Sequence, residues 1–227
     1  MRIWDVEPDP LTRFKVCCIG GREEASLAIA YGASAIGLVS EMPSGPGVIP
    51  ETLIREIAAW VSPSVSTFLL TSRTEPTEIA DQHRRCVTTT IQLVDRVGAR
   101  AYRELREALP GVRLVQVVHV TGRESLEEAV DVSRHADALL LDSGKPDLAV
   151  KQLGGTGRVH DWEVSRAIRD AVDVPIFLAG GLGPDNVAEA VRAVQPFAVD
   201  VCSGLRTEGR LDEVKLRDFV AALSASR

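Results

Sequence analysis

Eight short apolar runs, each followed by a longer amphipathic stretch, narrowly limit what this chain of 227 residues can fold into. The runs occupy residues 14–19, 35–40, 65–71, 88–94, 113–120, 138–142, 174–179 and 197–202. They are near-continuous rather than alternating, the pattern of parallel strands buried on both faces. Between them lie helical patterns over residues 22–31, 50–60, 75–84, 99–108, 125–135, 161–171, 184–194 and 212–223. Pro50 and Pro184 suit first helical turns, and Gly32 and Gly111 stand where helices stop. Eight strand–helix pairs in about 215 residues predict a single-domain (β/α)8 TIM barrel. A doubly wound sheet would carry a dinucleotide fingerprint after its first strand, and this chain has none there. Residues 1–12, with Pro8 and Pro10, are expected to form an irregular arm ahead of a barrel over 13–227.

Composition removes several function classes. A net charge of −6, from 26 Lys+Arg against 32 Asp+Glu, disfavours nucleic acid or an anionic membrane as partner. No apolar run approaches the roughly 18 residues of a membrane span. The N-terminus carries acids and prolines where a signal peptide needs a basic start and an apolar core. The expectation is a cytoplasmic monomer or homodimer. Cys17, Cys18, Cys86 and Cys202 include no CxxC, and His83, His119, His135 and His160 lack ligand spacing, so no metal is expected.

In a barrel the long connections 41–49 and 143–159, after the second and sixth runs, lie on the C-terminal face where chemistry is placed. Three glycine-bearing turns follow the last three runs: Gly154-Gly155-Thr156-Gly157, Gly180-Gly181-Leu182-Gly183 and Ser203-Gly204. One such turn is only a tight connection. Three in one sector make a nest of backbone N–H groups, where barrels hold phosphate. A phosphorylated small molecule is therefore the expected ligand.

Cys17 lies near the end of the first run and Asp142 ends the sixth. A thiol and a carboxyl facing one another over the pore are a workable base and acid for moving a proton between carbon and oxygen. With an ordinary thiol pKa of about 8.5, a cysteine base needs positive potential nearby. Lys15, two residues away on the same strand face, is placed to supply it. Adjacent strand residues point to opposite faces, so Cys18 is expected toward the helix shell and not as a redox partner of Cys17.

Taken together, these segments resemble the phosphoribosylanthranilate isomerase family. The resemblance is carried by Lys15-Val16-Cys17-Cys18-Ile19, Leu141-Asp142-Ser143, Gly154-Gly155-Thr156-Gly157 with Asp161-Trp162, Leu178-Ala179-Gly180-Gly181-Leu182 with Pro184, Asn186 and Val187, and Val199-Asp200-Val201-Cys202-Ser203-Gly204. It implies a cofactor-free Amadori rearrangement in tryptophan biosynthesis, converting a phosphoribosylamine to a 1-amino-1-deoxyketose. Cys17 would be the base at the sugar C2' and Asp142 the acid at the ring oxygen. Gly155, Gly157, Gly180, Gly181, Ser203 and Gly204 would hold the phosphate.

The departures fall at the aglycone end. Where the family has Ser-Pro-Arg-Tyr, this chain has Ser44-Gly45-Pro46-Gly47, and so lacks the arginine that pairs with the anthranilate carboxylate. The family's Gln-Leu-His-Gly reads Gln92-Leu93-Val94-Asp95, the glycine after the catalytic cysteine is Cys18, and an acidic position after the last Ser-Gly turn is Arg206. Arg206, Arg123 and Arg22 are the candidate replacements for the missing arginine. Two alternatives stand beside the isomerase: a paralogue acting on another phosphorylated aminosugar, and a non-catalytic phosphosugar-binding or regulatory barrel.

Overall fold

The computed structural model describes residues 12–143 and 161–225. The alternating runs form β1 (Arg13–Val16), α1 (Arg22–Ala30), β2 (Ala35–Val39), α2 (Glu51–Trp60), β3 (Ser66–Thr71), α3 (Pro76–Cys86), β4 (Thr90–Leu93) and α4 (Ala99–Ala108). There follow β5 (Arg113–His119), α5 (Ser125–Ser133), β6 (Ala138–Asp142), α6 (Trp162–Ala171), β7 (Ile176–Leu178), α7 (Val187–Val194) and β8 (Ala198–Val201). A single 3-10 turn (Ser203–Leu205) leads into a short hairpin, β9 (Arg206–Thr207) and β10 (Arg210–Leu211), before α8 (Glu213–Ser224).

β1 to β8 pair in sequence order, all parallel, and β8 returns to β1 with Val16 opposite Val201, closing an eight-stranded barrel. The period-2 alternation of strands then sorts the side chains. On β6, Leu139 and Leu141 enter the layer between strands and helices, whereas Ala138 and Leu140 fill the barrel interior. On β1 and β8, Phe14, Val16, Val199 and Val201 join the outer layer. Lys15, Cys17, Asp200 and Cys202 take the opposite phase. Near-continuous apolar strands are what such two-sided burial requires.

The ends of the elements shift by a few residues from the sequence reading, for local reasons. The first run loses strand geometry after Val16 because Cys18 takes a left-handed conformation, φ 63°. Its hydrogen bonding continues nonetheless, Cys17 N–H donating to the Val201 carbonyl at 2.8 Å and Ile19 N–H to that of Gly37 at 3.0 Å. Pro184 precedes α7 rather than opening it, because Asn186, at the N-cap, turns its side chain back onto the preceding loop. Asp161 and Asp212 cap α6 and α8, accepting from Glu163 N–H and from Val214 and Lys215 N–H. Among the described residues, no helix is long and apolar enough to cross a membrane.

Candidate active site

The C-terminal ends of the strands surround a cleft of about 700 Å³, measured out to open solvent. Cys17 and Asp142 both line it, with Gly180, Gly181 and Ser203. Five of the residues singled out by sequence therefore share one cavity. Gly204 lies directly behind, and Gly155 and Gly157 fall outside the described residues.

Asp142 ends β6 in the inward phase and is buried, its Oδ1 accepting the Ser143 N–H at 2.7 Å. Burial pushes its pKa up, and the neighbouring Asp200 adds to the rise. The Ser143 N–H, His119 and Lys15 oppose it, but the net direction is upward. A carboxyl so placed favours its protonated form, as an acid requires.

Cys17 stands one residue past β1, over a floor made by Gly37 of β2. A side-chain Cβ at Gly37 would sit 2.8 Å from Cys17 Sγ and 3.1 Å from Lys15 Nζ, so only glycine leaves room for both. Lys15 is fully buried and donates to Asp200 Oδ1 at 2.8 Å. Burial lowers the lysine's pKa, but Asp200, and then Cys17, outweigh it and raise the net value, keeping the ammonium charged beneath the thiol. The ammonium next to the thiol is on the residue its strand phase points to, and it is paired with a carboxylate.

Backbone geometry builds the side of the cleft at β7 and β8. Gly180 and Gly181 adopt φ of 86° and 64°, a region L residues enter at a cost. Asn186 pins their loop, accepting from Gly183 N–H and donating to the Gly181 carbonyl, both at 2.9 Å. Gly204 presses on the same loop so closely that a Cβ there would lie 2.0 Å from the Leu182 carbonyl oxygen. The turns after β7 and β8 therefore form one packed unit.

The three candidate arginines do not enter the cleft. Arg206 is committed elsewhere: its guanidinium binds both Glu24 oxygens at 3.1 Å and donates to the carbonyls of Cys17, Cys18 and Gly209. Burial raises the Glu24 pKa, but Arg206 and the N–H groups of Leu211 and Gly20 overcome this and hold the carboxyl below its usual range. This clamp ties the start of α1 to the β9–β10 hairpin. Arg22 pairs with Glu56 at 3.0 Å on the outer surface, and Arg123 sits exposed in the turn before α5. Among the described residues lining the cleft there is no lysine or arginine. Over β2 the wall is instead Val39, Met42, Ser44, Gly45 and Pro46.

Two further features escaped the sequence reading as site residues. Asp200 and Gln92 line the cleft, and Gln92 Oε1 is buried there without a hydrogen-bond partner among the described residues. The available signal was a polar residue in the inward phase of an apolar run. Cys18 corrects an expectation: its left-handed backbone turns the side chain away from the helix shell and into the cleft, where Sγ meets Cys202 Sγ at 2.7 Å. Among the described residues, no cluster of His, Cys, Asp or Glu is arranged to hold a metal ion.

Comparison with known proteins converges on one family. The family model described as N-(5'phosphoribosyl)anthranilate (PRA) isomerase matches residues 63–222. The N-(5'-phosphoribosyl)anthranilate isomerase of Methanocella arvoryzae is 35% identical over 218 residues, 96% of this chain and 100% of the relative. That of Haloferax volcanii is 38% identical over 219 residues, 96% and 95% of the two chains. Among solved structures, phosphoribosyl anthranilate isomerase from Thermotoga maritima superposes with a TM-score of 0.81 at 28% identity, covering 95% of this chain and 100% of that one. A phosphoribosyl anthranilate isomerase in complex with reduced 1-(o-carboxyphenylamino)-1-deoxyribulose 5-phosphate gives 0.79 at 26% identity, with the same coverage.

Proposed function

This chain belongs to the N-(5'-phosphoribosyl)anthranilate isomerase family, and from that premise we propose how its own residues carry out the isomerisation. The enzyme is an intramolecular isomerase of the aldose–ketose type, serving tryptophan biosynthesis. The observation that carries the reading is the placing of Cys17 and Asp142 on one cleft beside the Gly180-Gly181 and Ser203-Gly204 turns.

The phosphate of N-(5'-phosphoribosyl)anthranilate sits against these turns, held by backbone donors. Asp142, its pKa raised by burial, gives its proton to the furanose ring oxygen. The C1'–O bond breaks and the nitrogen lone pair forms a Schiff base. Cys17 as thiolate then takes the C2' proton, and the C–H electrons make the enolamine, which tautomerises to the 1-amino-1-deoxyketose. The Lys15 ammonium lies beneath Cys17, paired with Asp200. Every step moves a proton or an electron pair within the substrate, so no external oxidant or reductant is consumed.

The aglycone ring lies toward Met42 and Pro46. With no guanidinium on that wall among the described residues, the anthranilate carboxylate there forgoes a charge-assisted bond worth about 1.5–3 kcal/mol, which raises KM more than it lowers kcat. The four cysteines are free thiols, as a cytoplasmic enzyme acting on a phosphorylated metabolite would keep them. Freshly generated N-(5'-phosphoribosyl)anthranilate is fluorescent, and its consumption by the wild type and by Cys17→Ala tests the proposal. Rapid consumption that the substitution removes is expected. Equal rates would overturn it.

A further inference from the structure

Cys18 and Cys202 take no part in the proton transfers, yet the fold brings them together. β1 and β8 are hydrogen-bonded neighbours with Val16 opposite Val201, so both cysteines extend from adjacent, firmly held strand ends. Their Sγ atoms lie 2.7 Å apart, against a disulfide bond length of about 2.05 Å. Cys18 reaches this contact only through its left-handed backbone, which strand alternation would not produce and which L residues seldom adopt. Gly47 of the β2–α2 loop then closes over it, where any Cβ would come within 2.4 Å of the Cys18 Cβ. Cys202 is the more exposed of the two and opens into the cleft. The hydrogen bond with Cys18 and the charge of Arg206 hold its thiol below the ordinary pKa, against the effect of burial. Cys18 is pushed the opposite way, first by its contact with Cys17 and then by Cys202. One sulfur is thus disposed to ionise and the other to remain a thiol beside it.

We propose that Cys18 and Cys202 are a reversible redox pair whose disulfide, formed by hydrogen peroxide, lowers turnover at the neighbouring cleft. The Cys202 thiolate attacks one peroxide oxygen. An S–O bond forms, the O–O bond breaks, sulfur is oxidised by two electrons and the departing oxygen leaves as water after protonation. The Cys18 sulfur then attacks the sulfenic sulfur, the S–O bond breaks, and its hydroxide takes the Cys18 proton as a second water. Two thiols and one peroxide give one disulfide and two waters. The new bond ties together the residue after Cys17 and the residue before Ser203, coupling the base to the phosphate turn in a fixed arrangement. The activity arm of this proposal rests on the function proposed above; the disulfide itself does not.

The full-length protein is treated with hydrogen peroxide, its remaining thiols are alkylated, and tryptic peptides are weighed. The expected product joins residues 16–22 to residues 193–206, two hydrogens lighter than the separate peptides, and dithiothreitol releases it. Wild-type turnover of N-(5'-phosphoribosyl)anthranilate is expected to fall at least fivefold on oxidation and to return with the reductant. Cys18→Gly suits the left-handed backbone and leaves Cys17 and Cys202 in place. It should keep the reduced activity, form no linked peptide and lose less than twofold. Cys202→Ala serves as the second variant and should behave alike. Absence of the linked peptide in the wild type, or its persistence in Cys18→Gly through Cys17, overturns the pair. A linked peptide with unchanged turnover, or equal inhibition of wild type and both variants, overturns the switch.

Discussion

At the end of the cleft closed by β7 and β8, backbone meets backbone: Gly204 lies against the Leu182 carbonyl, and Asn186 fastens the loop of Gly180 and Gly181. Over β2 the cleft is walled by side chains of a loop, Met42, Ser44 and Pro46, anchored where Ile49 N–H donates to the Val39 carbonyl at 2.9 Å. In the function proposed here the first end would bind through N–H groups that every residue owns, so its specificity would reside in chain geometry and most substitutions there would disturb it. The second binds through side chains, which can be exchanged without moving the backbone. On that proposal, the asymmetry fits a chain that keeps the glycine turns while its Ser44-Gly45-Pro46-Gly47 stretch has no arginine. Barrel folds change specificity by loop variation for this reason.

The largest effect is expected beneath both ends, at the ion pair joining β1 to β8. Lys15→Met leaves the Asp200 carboxylate buried and uncompensated, and urea unfolding should show a loss of about 3–5 kcal/mol. Adding Asp200→Leu should recover most of it, since the second change removes the stranded charge. A single variant as stable as the wild type would mean that the pair is not buried as described.

Gly204→Ala sharpens the contrast at the phosphate end. The added methyl meets a backbone oxygen, which cannot rotate away, so the two turns must separate. The expected cost is about 1–3 kcal/mol of stability, with KM for the phosphorylated substrate raised and the far wall untouched. An unchanged KM would show that the turns are less rigid than their packing implies.

Pro46→Arg makes the opposite change at the other end. Placing a guanidinium on the exchangeable wall should lower KM for N-(5'-phosphoribosyl)anthranilate by roughly tenfold or more, from a charge-assisted bond of about 1.5–3 kcal/mol, with little change in kcat. No gain would mean that the carboxylate already has a partner, and the two ends would then be equally complete.

The smallest effect concerns Asp142, whose pKa in the folded protein is raised by burial. A raised carboxyl contributes stability that is fully present below its unfolded pKa, about 3.9, and lost as pH rises through the folded value. At pH 7 the raised pKa is therefore a cost to the folded state, and Asp142→Asn should melt higher, by roughly 2–4 °C per kcal/mol relieved. The asparagine Oδ1 can still accept from Ser143 N–H, so the gain should shrink to nothing near pH 3–4. A variant less stable than the wild type at pH 7 would contradict the assignment of burial as the main cause.

Much of this arrangement was legible in the residues, because strand alternation is a local rule. Counting by twos along the apolar runs puts Lys15, Cys17 and Asp142 on the inside, and the glycine turns stand out after the last runs. Contacts that depend on a departure from alternation, or on partners far apart in the chain, were not legible. Cys18 escapes through one left-handed residue. Arg206 reads as a free cation until the fold brings Glu24 against it from 182 residues away. Lys15 shows as a buried positive charge, but nothing local says that Asp200 neutralises it across the barrel seam. The expectations for Gly155 and Gly157 lie outside the described residues.

The most direct test measures turnover and binding on the same proteins: wild type, Cys17→Ala and Asp142→Asn, with N-(5'-phosphoribosyl)anthranilate as substrate and the reduced product analogue as ligand. If the thiol and the carboxyl move protons while the glycine turns hold the phosphate, kcat falls by roughly 10²–10⁴ in each variant and the affinity for the analogue stays within a few fold. A variant that turns over at the wild-type rate, or that loses binding in step with turnover, would contradict the division of labour between the acid–base pair and the phosphate end.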